Sequence, residues 1–235
     1  MKHTNYKITA AKNAKQYLIA AKKFFEKDSH KMIEINHYQH NIEPNFQEIM
    51  LGDLQNKQKF IDKSCFEYGC GAGRNLVNMS VLGGFQRADG IDISKSNAIN
   101  AQNFALSKLK SYGTKVMCLE GDGYTCFPFR DESYDFIISH QVFIHIPNHS
   151  VRASIVTDIK RIMKSGGIFI THFKTIDDSV DYYENYNKFP KNVQPADKQQ
   201  IMNDFSQFGF ADLKIFEVDN FYDGKPEWFV RCVKL

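Results

Sequence analysis

Glu67-Tyr68-Gly69-Cys70-Gly71-Ala72-Gly73-Arg74 is the stretch on which the reading of this 235-residue chain turns. Cys65-Phe66-Glu67-Tyr68 reads as a short strand, and Leu76, Met79, Val81 and Leu82 beyond it as the apolar set of a helix. A strand that turns sharply into a helix beneath a ligand needs residues without side chains where backbone and ligand touch. Gly69, Gly71 and Gly73 supply them. Asp92 closes the next strand in Gly90-Ile91-Asp92-Ile93, where doubly wound folds put the carboxylate that binds ribose hydroxyls. A nucleoside-bearing cofactor is expected. The dinucleotide spacing G-x-G-x-x-G is absent, because its third glycine, counted from Gly69, falls on Arg74. No Gly-Lys-Ser or Gly-Lys-Thr phosphate loop occurs either.

Outward from this turn, strands and helices alternate. A helix is expected through Ile99, Phe104, Leu106 and Leu109, then strands at Val116–Leu119 and Tyr134–Ser139. A further helix runs from about Asn148 to Met163, with Gly166 and Gly167 expected to stop it before a strand at Ile168–Thr171. Such alternation calls for an α/β fold, a mostly parallel sheet covered on both faces. The tail differs: Ala211–Val218 and Trp228–Val233, joined through Asp223-Gly224, favour an antiparallel pair at the sheet's end. Residues 1–60 read as a helical N-terminal flap on a domain spanning 61–235, one structural domain overall. Tyr17, Leu18, Ala21, Phe24 and Phe25 keep helical spacing, and Pro44 can open a second helix through Phe46, Ile49, Met50 and Leu54.

Composition narrows the class. Twenty Phe and 11 Tyr exclude a disordered chain, and a chain this long buries roughly 72% of its surface on folding. The longest apolar run, Tyr17–Ala21, is too short to cross a membrane, and the first residues lack a signal peptide's apolar stretch, so a soluble cytoplasmic protein is expected. A net charge of +3 makes a nucleic-acid partner unexpected. Residues 1–31 nonetheless hold eight lysines against Glu26 and Asp28: a solvated helix face, or a basic flap over an acidic ligand. The five cysteines form no C-x-x-C pair, and Pro147 separates His145 from His149, so no metal site is expected.

The glycine turn resembles the first motif of class I S-adenosylmethionine-dependent methyltransferases, and the resemblance continues in order. Gly90-Ile91-Asp92-Ile93-Ser94 is similar to that family's acidic second motif. Gly121-Asp122-Gly123 with Phe127-Pro128-Phe129 is similar to its adenine-side loop, and Tyr134-Asp135-Phe136-Ile137-Ile138-Ser139 to its fourth strand. Arg161-Ile162-Met163-Lys164-Ser165-Gly166-Gly167 resembles the helix end before its fifth strand, with Ser165 where many relatives carry proline. The resemblance covers roughly 63–173 and implies a doubly wound, Rossmann-like, mostly parallel seven-stranded sheet with an antiparallel C-terminal strand. It implies S-adenosylmethionine as cofactor and S-adenosylhomocysteine as product. Gly69 and Gly71 would pass under the methionine part, Asp92 would accept from the ribose hydroxyls and Ile93 would pack on adenine. Asp122 would accept from the adenine amino group beside a backbone contact at Gly123, and Glu67, Gly73 and Ser139 complete the cofactor set.

The acceptor end follows the fourth strand in Ser139-His140-Gln141-Val142-Phe143-Ile144-His145-Ile146-Pro147. It has no Asn/Asp-Pro-Pro-aromatic motif for a planar amine and no carboxylate to chelate magnesium, and the chain has no Pro-Cys nucleophile. The expectation is metal-independent methylation of a polar small molecule. The best guess is a hydroxyl of a sugar, nucleotide-sugar or phosphorylated metabolite, as in polysaccharide biosynthesis. His145, or else His140, would take the acceptor's proton with a pKa near neutrality. Substrate-binding candidates are His37, Tyr38 and His40 in the flap, and His172, Tyr182 and Tyr186 after the fifth strand. N-methylation of an amine or amide, RNA or protein methylation using the basic N-terminus, and a non-catalytic cofactor-binding subunit are the alternatives.

Overall fold

Cys65, Phe66, Glu67 and Tyr68 are all buried in strand β1 (Ser64–Tyr68), because the strand lies mid-sheet with helices over both faces. The computed structural model describes residues 18–19, 21–27, 29, 49–146, 149–175, 195–196, 198–219 and 226–235. Strand β1 pairs in parallel with β2 (Arg87–Asp92) and β4 (Tyr134–Ser139). β3 (Lys115–Glu120) joins β2, and β5 (Met163–Thr175) joins β4, again in parallel. The tail adds β7 (Phe210–Asp219) and β8 (Pro226–Lys234), with β8 antiparallel to both β5 and β7. The seven-strand path runs β3-β2-β1-β4-β5-β8-β7, and a two-residue β6 (Pro195–Ala196) pairs with the end of β5.

Alternate residues feed two cores, as the period of two along a strand requires. Phe66, Ile137, Phe169 and Val230 face one side, and Cys65, Phe136, Ile138, Ile170 and Phe229 the other. Helices α3 (His149–Ile162) and α4 (Lys198–Gln207) cover the first side through Ile155, Ile159 and Phe205. Helices α1 (Arg74–Gly83) and α2 (Lys95–Leu109) cover the second.

Two expectations change. The buried stripe of α2 is Ala98, Ala101, Ala105 and Leu109, whereas Ile99 and Leu106 are about half exposed, at 50% and 47%. Close approach explains the choice: a Cβ on Gly73, whose φ is +90°, would stand 3.0 Å from the Ala101 Cα. Small residues let α1 and α2 touch backbone to backbone, so large apolar ones turn outward. Gly166 and Gly167 do not end a helix either. α3 stops at Ile162, and both glycines lie in the irregular start of β5, where the pairing with β4 shifts between Tyr134 and Phe136. A Cβ on Gly167 would meet the Lys164 carbonyl at 2.8 Å and the Tyr134 carbonyl at 3.2 Å.

No described helix is long and apolar enough to cross a membrane. The flap enters the description as helical residues 18–19, 21–27 and 29, and the segment expected to extend from Pro44 lies partly outside the described residues; its described part winds through a 3-10 turn at Gly52–Gln55. Ala101→Leu should force α1 and α2 apart and cost about 1–3 kcal/mol, the usual penalty of overpacking. Urea unfolding that shows an unchanged midpoint would mean that the alanine stripe does not set the helix spacing.

Candidate cofactor site

The cavity of about 240 Å³ opens at the carboxyl ends of β1, β2 and β4, which is where open α/β sheets bind ligands. Its floor is the turn from β1 into α1. Gly69 and Cys70 both donate their N–H to the Ile91 carbonyl, at 2.8 and 3.0 Å, which pins the turn against β2. Gly69 has φ +75°, and a Cβ there would lie 2.2 Å from Val142 Cγ2, so the loop after β4 sits directly on the glycine.

Asp92 ties the next strand to that turn. Its Oδ2 accepts from the Gly71 N–H at 2.9 Å, and its Oδ1 accepts from Ser94 N–H at 2.9 Å and Asn97 Nδ2 at 3.3 Å. Burial pushes its pKa up against the lowering effect of these donors. Glu67 is buried deeper in the same cavity. Asn75 Nδ2 donates to its Oε1 at 3.0 Å, while Oε2 has no hydrogen-bond partner among the described residues. Burial raises the Glu67 pKa to about 8, with the charge of Arg74 acting in the opposite direction. Arg74 lines the cavity beside it.

Past β3, Gly121, Gly123 and Thr125 form one wall. Asp122 itself is exposed and holds its own turn: Oδ1 accepts from Tyr124 and Thr125 N–H at 2.7 Å each, and Oδ2 from Thr125 Oγ1 at 2.8 Å. Its side chain is therefore engaged away from the cavity lining. Above Gly123, Leu18 Cδ2 and Ile93 Cδ1 crowd to 2.6 and 2.9 Å from where a Cβ would be, making a narrow apolar slot.

Leu18, Ala21 and Phe25 roof the cavity, spaced three and four apart on one helix face. The roof is held by charge. Lys22 pairs with Glu120, and Glu26 accepts from Ser94 Oγ at 2.7 Å, from Ser96 N–H at 3.2 Å and from Ser96 Oγ. Glu26 thus places a carboxylate at the N-terminus of α2, where helix dipole and free N–H groups favour an anion. Those hydrogen bonds hold its pKa below the ordinary value.

At the acceptor end, His140 and His145 line the cavity with Gln141, Val142 and Ile146. Phe25 meets the His145 ring edge-on at 5.7 Å. Burial, with His172 adding to it, lowers the His145 pKa to about 4, and burial drives that of His140 well below the ordinary value. The expected role of either imidazole as a base near neutrality thus stands against burial, which moves both toward the neutral form. His172 lies behind His140 rather than in the lining, and Ser139 Oγ donates to the Tyr68 carbonyl at 3.0 Å, joining β4 to β1. His37, Tyr38, His40, Tyr182 and Tyr186 lie outside the described residues. Sequence reasoning missed Arg74, Asn75, Asn97 and Val142, together with Lys22 and Glu26. Only Arg74 and Asn75 carried a signal, as polar residues directly after the glycine turn.

Turn, carboxylate, wall and roof enclose one cavity at the carboxyl ends of the parallel strands of a doubly wound fold. Residues 66–171 match the family model described as a methyltransferase domain. An uncharacterized protein of Haemophilus influenzae is 24% identical over 163 residues, 66% of this chain, which spans 61% of that relative's length. Magnesium protoporphyrin IX methyltransferase from Synechocystis, solved with bound S-adenosylhomocysteine, superposes with a TM-score of 0.64 at 15% identity, over 93% of this chain and 100% of that one. Phosphoethanolamine N-methyltransferase 2 of Haemonchus contortus, with phosphomonomethylethanolamine and S-adenosylhomocysteine, gives 0.58 at 16% identity, over 74% of this chain and 49% of that one. Residues 66–171 thus match a methyltransferase-domain model, and the chain shares its fold with solved S-adenosylmethionine-dependent methyltransferases.

The residues fit that cofactor. The lone oxygen of Glu67 and the nearby Arg74 guanidinium are complementary to an amino-acid ammonium and carboxylate, and the slot beside Ile93 suits a flat base. A pH dependence follows. Burial raises the Glu67 pKa to about 8, and an ammonium bound beside it would favour the ionised form, so binding below that pH would expel a proton. S-adenosylhomocysteine affinity should rise by up to about tenfold per pH unit from pH 6 to 8 and then level. In Glu67→Gln the slope should vanish. Calorimetry in buffers of different ionisation heat reads the proton directly; a pH-independent affinity in the wild type would remove Glu67 from this role.

Proposed function

We propose that this protein transfers the methyl group of S-adenosylmethionine to a polar small molecule without a metal. The observation that carries this reading is the convergence on one cavity of the Asp92-braced glycine turn, the open oxygen of Glu67 and two imidazoles at the far end. The cofactor supplies an electrophilic methyl on a sulfonium, so the chain's task is chiefly positioning. Gly69, Gly71 and Glu67 would hold the methionine part, and Asp92 the ribose. Ile93, Leu18 and Gly123 would enclose the base, while the engaged carboxylate of Asp122 supports an adenine contact through the neighbouring backbone rather than through its side chain.

His140 and His145, held neutral, would accept a hydrogen bond from the acceptor and turn its lone pair toward the methyl group. The first choice of acceptor is a hydroxyl of a sugar, nucleotide-sugar or phosphorylated metabolite. A second reading, a small neutral amine, draws support from the weak basicity that burial imposes on His145. A neutral nitrogen needs no proton removed before attack. Methylation with isotope-labelled cofactor across matched hydroxyl and amine panels, read by mass spectrometry with EDTA present, tests both. Product with either class supports methyl transfer. Loss of all product on chelation, restored by magnesium, would overturn the metal-independent reading.

The roof is read as a flap that closes over bound cofactor and excludes water. Glu26→Ala removes its anchor on α2 while leaving every cavity-lining side chain in place. S-adenosylhomocysteine should dissociate several-fold faster from this variant in stopped-flow displacement. Hydrogen exchange over residues 18–29 should slow on adding S-adenosylhomocysteine in the wild type and much less in the variant. Equal dissociation rates would make this segment a fixed wall.

A further inference from the structure

Three neighbouring strands line up aromatic rings behind the acceptor end of the cavity. Ser139 of β4 is in register with Thr171 of β5, and His172 of β5 with Phe229 of β8, so the residues that follow bring His140, His172 and Phe229 into one row. The His140 and His172 rings stack at 5.4 Å and 21°, and the His172 and Phe229 rings at 4.6 Å and 14°. Glu227 stands two residues before Phe229 on β8, and its Oε2 lies 2.9 Å from His172 Nε2. Only His140 reaches the cavity; His172 is 1% exposed and entirely behind it.

The row has a chemical direction. A carboxylate can only accept from Nε2, so the shared proton sits there. Nδ1 of His172 is buried with no hydrogen-bond partner among the described residues. A buried imidazole with one open nitrogen is costly for packing alone, because an apolar ring would fill the gap between His140 and Phe229 without that loss. What the imidazole adds is a fixed ring plane and a polarity that the Glu227 carboxylate controls.

We propose that His172 and Glu227 are a positioning pair for His140. Glu227 sets the protonation pattern and seat of His172, and the stacked His172 ring fixes the plane in which His140 presents its nitrogen to the methyl acceptor. The inference rests on the methyl-transfer reading for what that nitrogen meets, but the orientation itself is measurable without an acceptor. The charged and titratable groups that face this row are Arg74 from α1, His145 from the turn after β4 and Glu227 from β8. Arg74 and His145 are unaltered in the test variants.

The experiment labels the histidine rings of the full chain with nitrogen-15 and records which ring nitrogens carry protons across roughly pH 5 to 8. His140→Asn and His172→Gln assign the two signals among the eight histidines. In the wild type, His172 should carry its proton on Nε2, and His140 should show a single tautomer. Glu227→Gln replaces the anion with an amide that can donate or accept. The His172 signals should then become averaged, and the His140 signals should shift and average with them. In His172→Gln the His140 ring, released from its stack, should average as well.

His140 signals that keep their wild-type tautomer in Glu227→Gln, whether or not His172 moves, would overturn the proposal. Should His172→Gln fail to fold, Glu227→Gln decides alone, since Glu227 is partly exposed at the start of β8 and is not among the buried core residues. Calorimetry with S-adenosylhomocysteine on the wild type keeps the two readings apart. An absence of binding would remove methyl transfer while the ring signals still report the pair. Normal binding with an unmoved His140 would remove only the pair.

Discussion

One buried carboxylate organises the site. Asp92 spends both oxygens on the chain itself, accepting from Gly71 in the turn after β1 and from Ser94 and Asn97 at the start of α2. The glycine turn has φ values no ordinary residue adopts readily, and a loop of that kind holds its shape only when its N–H groups have fixed partners. Asp92 and the Ile91 carbonyl provide them from the neighbouring strand. The same carboxylate sets Ser94, which caps α2 and holds Glu26, so the roof's position traces back to Asp92 through two hydrogen bonds. A ligand hydroxyl donating to Asp92 would use lone pairs left over from this bracing, which is why the group is preorganised rather than free to swing.

Much of the fold was legible because the decisive signals were local. The strand before the glycine turn, the strand ending at Asp92 and the fourth strand at Tyr134–Ser139 stand where alternation and glycine placed them. The antiparallel tail was legible too, since two β-rich runs separated by a turn have few other options. The readings that failed depended on distance between backbones. Whether α2 turns Ile99 or Ala101 inward is decided by how closely Gly73 lets α1 approach, and that is a property of two elements together. Gly166 and Gly167 look like a helix stop in sequence, yet their role is set by a bulge against β4 and by the crowding of Lys164 and Tyr134 carbonyls.

Within the site, backbone-determined features were legible and side-chain partnerships were not. Asp92 and the glycines follow from the strand–turn–helix geometry. The Lys22–Glu120 pair spans 98 residues, and no periodicity marks it. Asp122 is a case that the motif leaves open: an Asp in a Gly-Asp-Gly loop suits an outward hydrogen bond or its own turn equally well, and here both oxygens accept within the loop. The histidines show a third kind of dependence. Their ordinary pKa implies a base at neutral pH, whereas burial, with His172 adding to it, lowers the pKa of both, and burial is a tertiary fact.

Glu67, Asp92, His140 and His145 share one electrostatic condition: in each, desolvation moves the pKa toward the neutral form. For Glu67 the shift reaches about 8, so burial there works against the charge that the residue type suggests. Holding four ionised groups in so small an apolar space would cost several kcal/mol per ion. Neutral forms avoid that cost while keeping each group's hydrogen-bonding capacity. A ligand bearing its own ammonium and carboxylate would supply the counter-charges that favour ionisation of Glu67, beside the Arg74 guanidinium. On the proposed reading, charge would form at Glu67 as the cofactor binds, while burial would hold the two imidazoles at the other end toward their neutral forms. That asymmetry would suit the proposed methyl transfer, in which positive charge on the cofactor is lost as the methyl group moves: the end that would hold a zwitterion gains charge, and the end that would receive a nucleophile offers lone pairs.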